Sequence, residues 1–255
     1  MVLIHVLLST ADPSLGKVDK SLLSQETLLE LLAEGITDHD PEWTPEAVLD
    51  ENDEAVAVAW SYQELAGSLE LQWLPPTVRR VGVSFNRLTG SLDLHSLPYS
   101  LELLNVSGNR FSGSIDFRFL PEGFVKLDVS SNELSGTLNL EALPPSMEDL
   151  ILRFNAFTGG VSLTRLPVSM KNVDISYNEL SGAPNLTRLP PQLSGLSLSS
   201  NNFEGVTDFT QLPQTLTVLT LTKNPNLSGE IRLDTAKGQL RFVPVSGSGV
   251  NVVVA

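Results

Sequence analysis

Cysteine is absent from all 255 residues. That excludes disulfides, thiolate metal sites and cysteine nucleophiles, and it favours a reducing compartment. Aromatic residues are scarce at 6%, so a core must be built mainly from Leu and Val, for which a hydrophobic fraction of 41% is ample. Basic residues are also few: 16 Lys and Arg against 30 Asp and Glu leave a net charge of −14. The imbalance is local. Residues 1–54 hold 13 acidic residues and two Lys, a charge of −11, which leaves −3 for the rest of the chain. With that sign and no basic stripe, direct binding of nucleic acid is not expected. No apolar run reaches the roughly 20 residues that a membrane span needs. Residues 2–8 are apolar, but His5 interrupts them and no basic segment precedes them. They read as a buried strand or packing segment rather than a signal peptide. No Arg occurs before Arg79, which disfavours an Arg-rich presequence.

What the sequence does have is a period. Asn recurs at 86, 109, 132, 155, 178, 201 and 224, always 23 residues apart. Gly follows each of the first six by four residues, at 90, 113, 136, 159, 182 and 205, and a Leu-Pro pair closes every unit from Leu74-Pro75 to Leu212-Pro213. One unit, residues 124–146, reads FVKLDVSSNELSGTLNLEALPPS. Apolar residues at its positions 1, 4 and 6 (Phe124, Leu127, Val129) predict a strand with one buried face, and stacking the units makes these strands a parallel sheet. The Asn at position 9 has both a donor and an acceptor for the backbone of an inward turn. The Gly at position 13 permits a positive φ or a close approach. Leu138 and Leu140, at positions 15 and 17, alternate again and predict a second short strand on the return side. Leu at position 20 packs inward, and Pro at 21 stiffens the turn into the next unit.

With these markers the units resemble the leucine-rich-repeat family, pattern LxxLxLxxNxLSGxLxLxxLPxS. They are most similar to its plant-type receptor subclass and to sets of such proteins in protozoan genomes. The resemblance covers residues 55–233. It implies a right-handed solenoid of the α/β class, mostly β and irregular. Such a solenoid has a parallel concave sheet, short second strands on the return side and a helical N-terminal cap. Partner proteins or peptides bind chiefly on the concave face.

Three regions are expected: an acidic helical cap over 1–54, eight units over 55–233 with the first degenerate and the last incomplete, and a C-terminal cap or tail with strand character over 234–255. In the first unit Gln63 replaces the Asn. Residues 22–34 predict a helix with Asp19 or Ser21 as N-cap and Gly35 as its stop. Thr44, Pro45 and Glu46 could open a second short helix. The succession Leu28, Trp43, Val48, Trp60 is similar to the N-terminal cap module of plant-type receptors, but both cysteines of that module are missing, so this cap is expected to hold by packing alone. Residues 239–255 alternate, break at 246–249 and resume. They read as an edge cap, or else as a strand that pairs with a partner chain.

Catalytic, cofactor and metal sites are not expected. His5, His39 and His95 lack ligand spacing or a nucleophile nearby, and neither a phosphate-cradling loop nor an EF-hand occurs. Asn105, Asn185 and Asn226 head Asn-x-Ser/Thr triplets that a Ser- and Asn-rich repeat produces by itself. Positions 3, 5, 7 and 8 of each unit should point out of the concave sheet. Read by unit, they gather bulk and charge at Asp128, Asp149, Ile151, Arg153, Phe154, Asp174 and Tyr177, with a second aromatic pair at Tyr62 and Phe85. Asp128 and Asp174 fall two strands apart, about 10 Å, and read as recognition charges rather than an acid–base pair. The competing reading of the position-8 aromatics is that they cover the rim of the Asn turn. The function expected is a non-enzymatic, intracellular scaffold that binds a protein or peptide partner on its concave face, as a subunit of a larger assembly. The alternatives are a secreted or cell-surface recognition module, and an acidic N-terminal region that docks on a basic partner.

Overall fold

In a computed structural model, residues 19–233 and 241–254 are described, the side chains of Ser21 and Leu233 excepted. The reading of residues 2–8 and His5 lies outside the described residues. Each 23-residue unit makes one turn of a solenoid and carries two strands. The first strands (Ala55–Ala59, Arg80–Gly82, Leu103–Asn105, Lys126–Asp128, Asp149–Ile151, Asn172–Asp174, Gly195–Ser197 and Val218–Thr220) form a parallel sheet, which the antiparallel Val48–Leu49 extends to nine strands. Paired residues are 23 apart, as in Leu127 with Leu150, so each column of this sheet is one position of the repeat. Phe124, Leu127 and Val129 are all fully buried, as alternation requires.

The second strands form a ten-stranded sheet: Ala66–Ser68, Arg87–Ser91, Arg110–Gly113, Glu133–Thr137, Ala156–Gly160, Glu179–Gly182, Asn202–Val206 and Asn224–Leu233, with Ile36–Asp38 antiparallel at one edge and Ser248–Val254 parallel at the other. Here partners such as Thr89 and Arg110 are 21 apart, so the sheet shears by two residues per turn. These strands occupy positions 10–14, ahead of the Leu138 and Leu140 pair on which the alternation places them. The reason is position 16. Asp93, Asp116, Asn139, Asn185 and Asp208 each accept the N–H of the residue two further on, an Asx turn that ends the strand. Leu138 and Leu140 are buried, but they flank that turn, and Leu140–Ala142 is a single 3-10 turn.

The Asn column ties turn to turn. Asn201 Oδ1 accepts the N–H of Leu180 in the preceding unit, and its Nδ2 donates to Ile175 O of that unit and to Leu198 O of its own. Asn109, Asn178 and Asn224 repeat the pattern, and all four are buried. A hydroxyl at position 23 adds a second link: Ser100, Ser146, Ser169 and Thr215 each donate to the position-22 carbonyl of the unit before and to the position-1 carbonyl of their own unit.

At the N-terminal end, the α-helix is Gln25–Leu32, and its N-cap is Ser24 rather than Asp19 or Ser21, because Lys20–Leu22 closes a 3-10 turn first. Ser24 Oγ accepts from Thr27 N at 3.3 Å, and Leu28, Leu29, Leu31 and Leu32 are buried. Gly35 and Gly67 bring this cap against the first unit, where Ser68 N donates to Gly35 O. No helix opens at Thr44, Pro45 and Glu46. The segment is drawn instead toward the Val48–Leu49 strand, while Trp60 Nε1 donates to Glu46 O and the Trp60 ring meets Trp43 edge-on at 5.3 Å. At the other end, the carbonyls of Phe242, Pro244 and Ser246 accept from Leu219, Leu221 and Lys223, laying a further turn against the last repeat.

Candidate functional site

Position 8 is where the chain turns at the end of each first strand. Its backbone N–H donates to a carbonyl of the next unit, as Tyr62 N does to Ser84 O and Phe154 N to Ser176 O. That turn holds Tyr62, Phe85, Ser131, Phe154, Tyr177, Ser200 and Lys223 at φ between 53° and 60°, with Gly108 at 65°. The left-handed region costs an L residue about 1 kcal/mol or more. The aromatic residues held there are also exposed: Tyr62 69%, Phe85 54%, Phe154 45% and Tyr177 43%. Strain and exposure both work against the fold. Ser131 and Ser200 close the same turn without a ring, so covering the rim of the Asn turn does not require one. Ser131→Gly should therefore raise stability by about 0.5 kcal/mol, the relief of the φ exceeding the extra chain entropy of Gly. A urea melt measures it, and a loss of stability would show that Ser131 is not strained.

The rings meet in two stacks. Tyr62 and Phe85 lie 4.8 Å apart with 10° between planes, and Phe154 and Tyr177 lie 4.1 Å apart at 20°. Adjacent strands are spaced by about the same distance, so one aromatic per turn stacks without adjustment. Phe85 leans over Gly108, where a Cβ would come within 2.8 Å of its ring. The Arg153 guanidinium stands 6.0 Å from the Phe154 ring centre, and Lys223 Nζ stands 6.0 Å from that of Tyr177, so cations flank the second stack on both sides.

Of the other candidates, Asp149 is internally engaged, accepting from Asn172 Nδ2 at 2.7 Å with Lys126 Nζ at 3.8 Å. Asp128 and Asp174 each use Oδ1 to accept the N–H and hydroxyl of the Ser two residues on, Ser130 and Ser176, which leaves the second oxygen of each for a partner. Asn105 does the same with Ser107, and Asn185 with Thr187, so two of the three glycosylation triplets have a turn-making role. Ile151 is half-buried beside Arg153. Reasoning by unit missed Lys223 and Gly108. The signal was available down the column, since position 8 of successive units forms one line. On the return side, His95 stacks on Phe119 at 3.5 Å with Nδ1 2.7 Å from Asp93, and the Arg118 guanidinium holds the Asp116 carboxyl down at about 2. Among the described residues, no three or more His, Asp or Glu are placed to hold a metal, and no helix is long and apolar enough to cross a membrane.

A family model described as Leucine Rich Repeat matches residues 100–120, within an array whose every turn repeats that geometry. The chain has the leucine-rich-repeat fold. No curated protein matches its sequence significantly. Among solved structures, it is similar to the ectodomain of the plant membrane receptor kinase GASSHO1/SCHENGEN3 from Arabidopsis thaliana, solved in complex with CASPARIAN STRIP INTEGRITY FACTOR 2 (21% identity, TM-score 0.54, 69% of this chain and 22% of that one). It is also similar to a Pollen Receptor Kinase 3 (24%, 0.53, 75% and 95%) and to a plant ice-binding protein (20%, 0.51, 92% and 97%). This leucine-rich-repeat chain thus spans about a fifth of the first ectodomain. At these identities the likeness is one of fold.

Proposed function

We propose that this leucine-rich-repeat protein is a non-enzymatic module that binds a protein or peptide partner along the open face of its nine-stranded sheet. The observation that carries the reading is the pair of strained, exposed aromatic stacks in the position-8 column. Phe154 and Tyr177, flanked by Arg153 and Lys223, form the main anchor, with Asp128, Asp174, Asp149 and Ile151 around it. Tyr62 and Phe85 form a second anchor three strands away, about 14 Å. Aromatic and Arg side chains are the usual carriers of interface energy, and the small Ser-rich floor between the anchors lets a partner backbone approach.

Replacing Arg153 and Tyr177 together with Ala should weaken binding of the main partner at least 30-fold, equivalent to about 2 kcal/mol. The partner is captured with the wild-type chain, and its affinity for both chains is then measured by calorimetry, with circular dichroism confirming the fold. Unchanged affinity would remove the site.

We further propose an intracellular setting and a place in a larger assembly. A cap closed by Trp43, Trp60 and two glycines, with no cysteine, needs no oxidising compartment. Glycosidase treatment of the protein from its native source should leave its mobility unchanged, and a shift would place it in the secretory route instead.

A further inference from the structure

The two ends of the solenoid treat their open sheet edges differently. At the N-terminal end the edge strands are Val48–Leu49 and Ile36–Asp38, two and three residues long, antiparallel, irregular in register and bordered by Asp38, Asp40, Asp50 and Glu51. Short, bulged and charged edges resist pairing with another chain. The C-terminal edge shares only an irregularity of register, between Asn224 and Ser228, and has neither the shortness nor the charge. Ser248–Val254 is seven residues long and reads SGVNVVV, without a charge or a proline. Its neighbour Asn224–Leu233, already paired, does carry Pro225, Glu230 and Arg232.

The exposed edge is also apolar. Val250 is buried, but Val252, Val253 and Val254 are 36%, 42% and 65% exposed. The strand pairs with Gly229 through Leu233, past the point where Asn202–Val206 stops pairing at Ser228. Its outer half is thus one side of a two-stranded parallel ribbon standing beyond the body of the sheet. Two strands alone are marginal in water, and parallel pairing is the weaker kind.

We infer that this edge is a self-association site, at which two copies of the chain pair their Ser248–Val254 strands antiparallel across a two-fold axis. The occupant follows from charge and symmetry. A basic partner would be drawn to the acidic pole, residues 19–54 with a charge of −11, at the opposite end of the array. That pole lies roughly 40 Å away, counting nine strand spacings, or several Debye lengths at physiological salt. Two acidic chains can therefore meet at these ends with little repulsion. A neutral strand is its own complement when reversed: centred on Asn251, it sets Asn251 against Asn251 and Val250 against Val252, and inward faces stay inward. The result is a continuous four-stranded ribbon that covers the valines of both copies.

The test uses the full chain. Sedimentation velocity over a wide concentration range should show a monomer–dimer equilibrium that salt barely changes, and Val252→Lys should weaken it at least tenfold. Because the chain has no cysteine, Asn251→Cys should give a disulfide or short bismaleimide-linked dimer, whereas Asn52→Cys at the far end should not. A chain that stays monomeric at all concentrations without an Asn251→Cys link overturns the inference. So does a dimer that survives Val252→Lys, equal linking through Asn52→Cys, or an edge occupied only by a foreign strand. The cysteine readout is independent of any loss of folding in Val252→Lys.

Discussion

Replacing Asn201 with Leu should lower the unfolding free energy by about 3–5 kcal/mol. The leucine matches the apolar surroundings but leaves Leu180 N–H and the Ile175 and Leu198 carbonyls without partners, in an interior where Asn201 itself is 4% exposed. Each buried orphan costs about 1–3 kcal/mol, and the carbonyls, with a second lone pair, lie toward the lower end. Urea unfolding at constant slope reads the loss, and a change below 1 kcal/mol would mean that the ladder is not what holds consecutive turns. The first unit supplies the control. Its position 9 is Gln63, and that residue is exposed. An Asn there would serve a unit before it, and among the described residues none precedes it: the strands Ile36–Asp38 and Val48–Leu49 pair antiparallel with the sheets instead. Gln63→Asn should therefore change stability by no more than about 0.5 kcal/mol, like an ordinary surface substitution.

Gly67→Ala should detach the N-terminal cap while leaving the repeats folded. Gly67 has φ +114°, and a Cβ would lie 2.1 Å from Gly35 O, 2.8 Å from Thr37 N and 3.0 Å from Ile36 Cα, all of them backbone. No side-chain rotation relieves such an overlap, so the pairing of Ile36 with Gly67 must open, at a cost of about 3 kcal/mol or more. Each turn of a solenoid rests on its neighbours alone, so the damage stays local. Hydrogen exchange should rise through residues 25–38 and fade within the next turn or two. Trp60, now 3% exposed, should shift its fluorescence to the red as Trp43 leaves it. Retained protection over residues 25–38 would disprove the close approach.

Much of this architecture was legible in the sequence, because each repeat position answers to one physical demand and the demand recurs every 23 residues. Phe124, Leu127 and Val129 had to face inward, and Asn132 had to satisfy the turn; both follow from single residues. What was hidden involved competition between local signals. Leu138 and Leu140 alternate as a strand does, yet the side chain between them, Asn139, captures a backbone N–H and turns the chain. Ser24 won the helix start from two other capping residues because a 3-10 turn consumed the residues before it. In the candidate site, the aromatic residues were visible as exceptions in a Ser-rich column. Their stacking was not, and neither was the cation from Lys223, which reaches past Ser200 to a ring two turns away. Asp128 and Asp174 looked like free charges because nothing in their spacing says that the serines two residues on would hold one oxygen of each.

The Asn ladder has a direction: every rung also reaches back, so part of each turn's polar backbone is satisfied by a residue of the turn made after it. A ribosome releases the chain in that same order. An array that folded in that order would carry one unfinished turn at its growing tip until the next Asn sealed it, a zipper whose slider moves with translation.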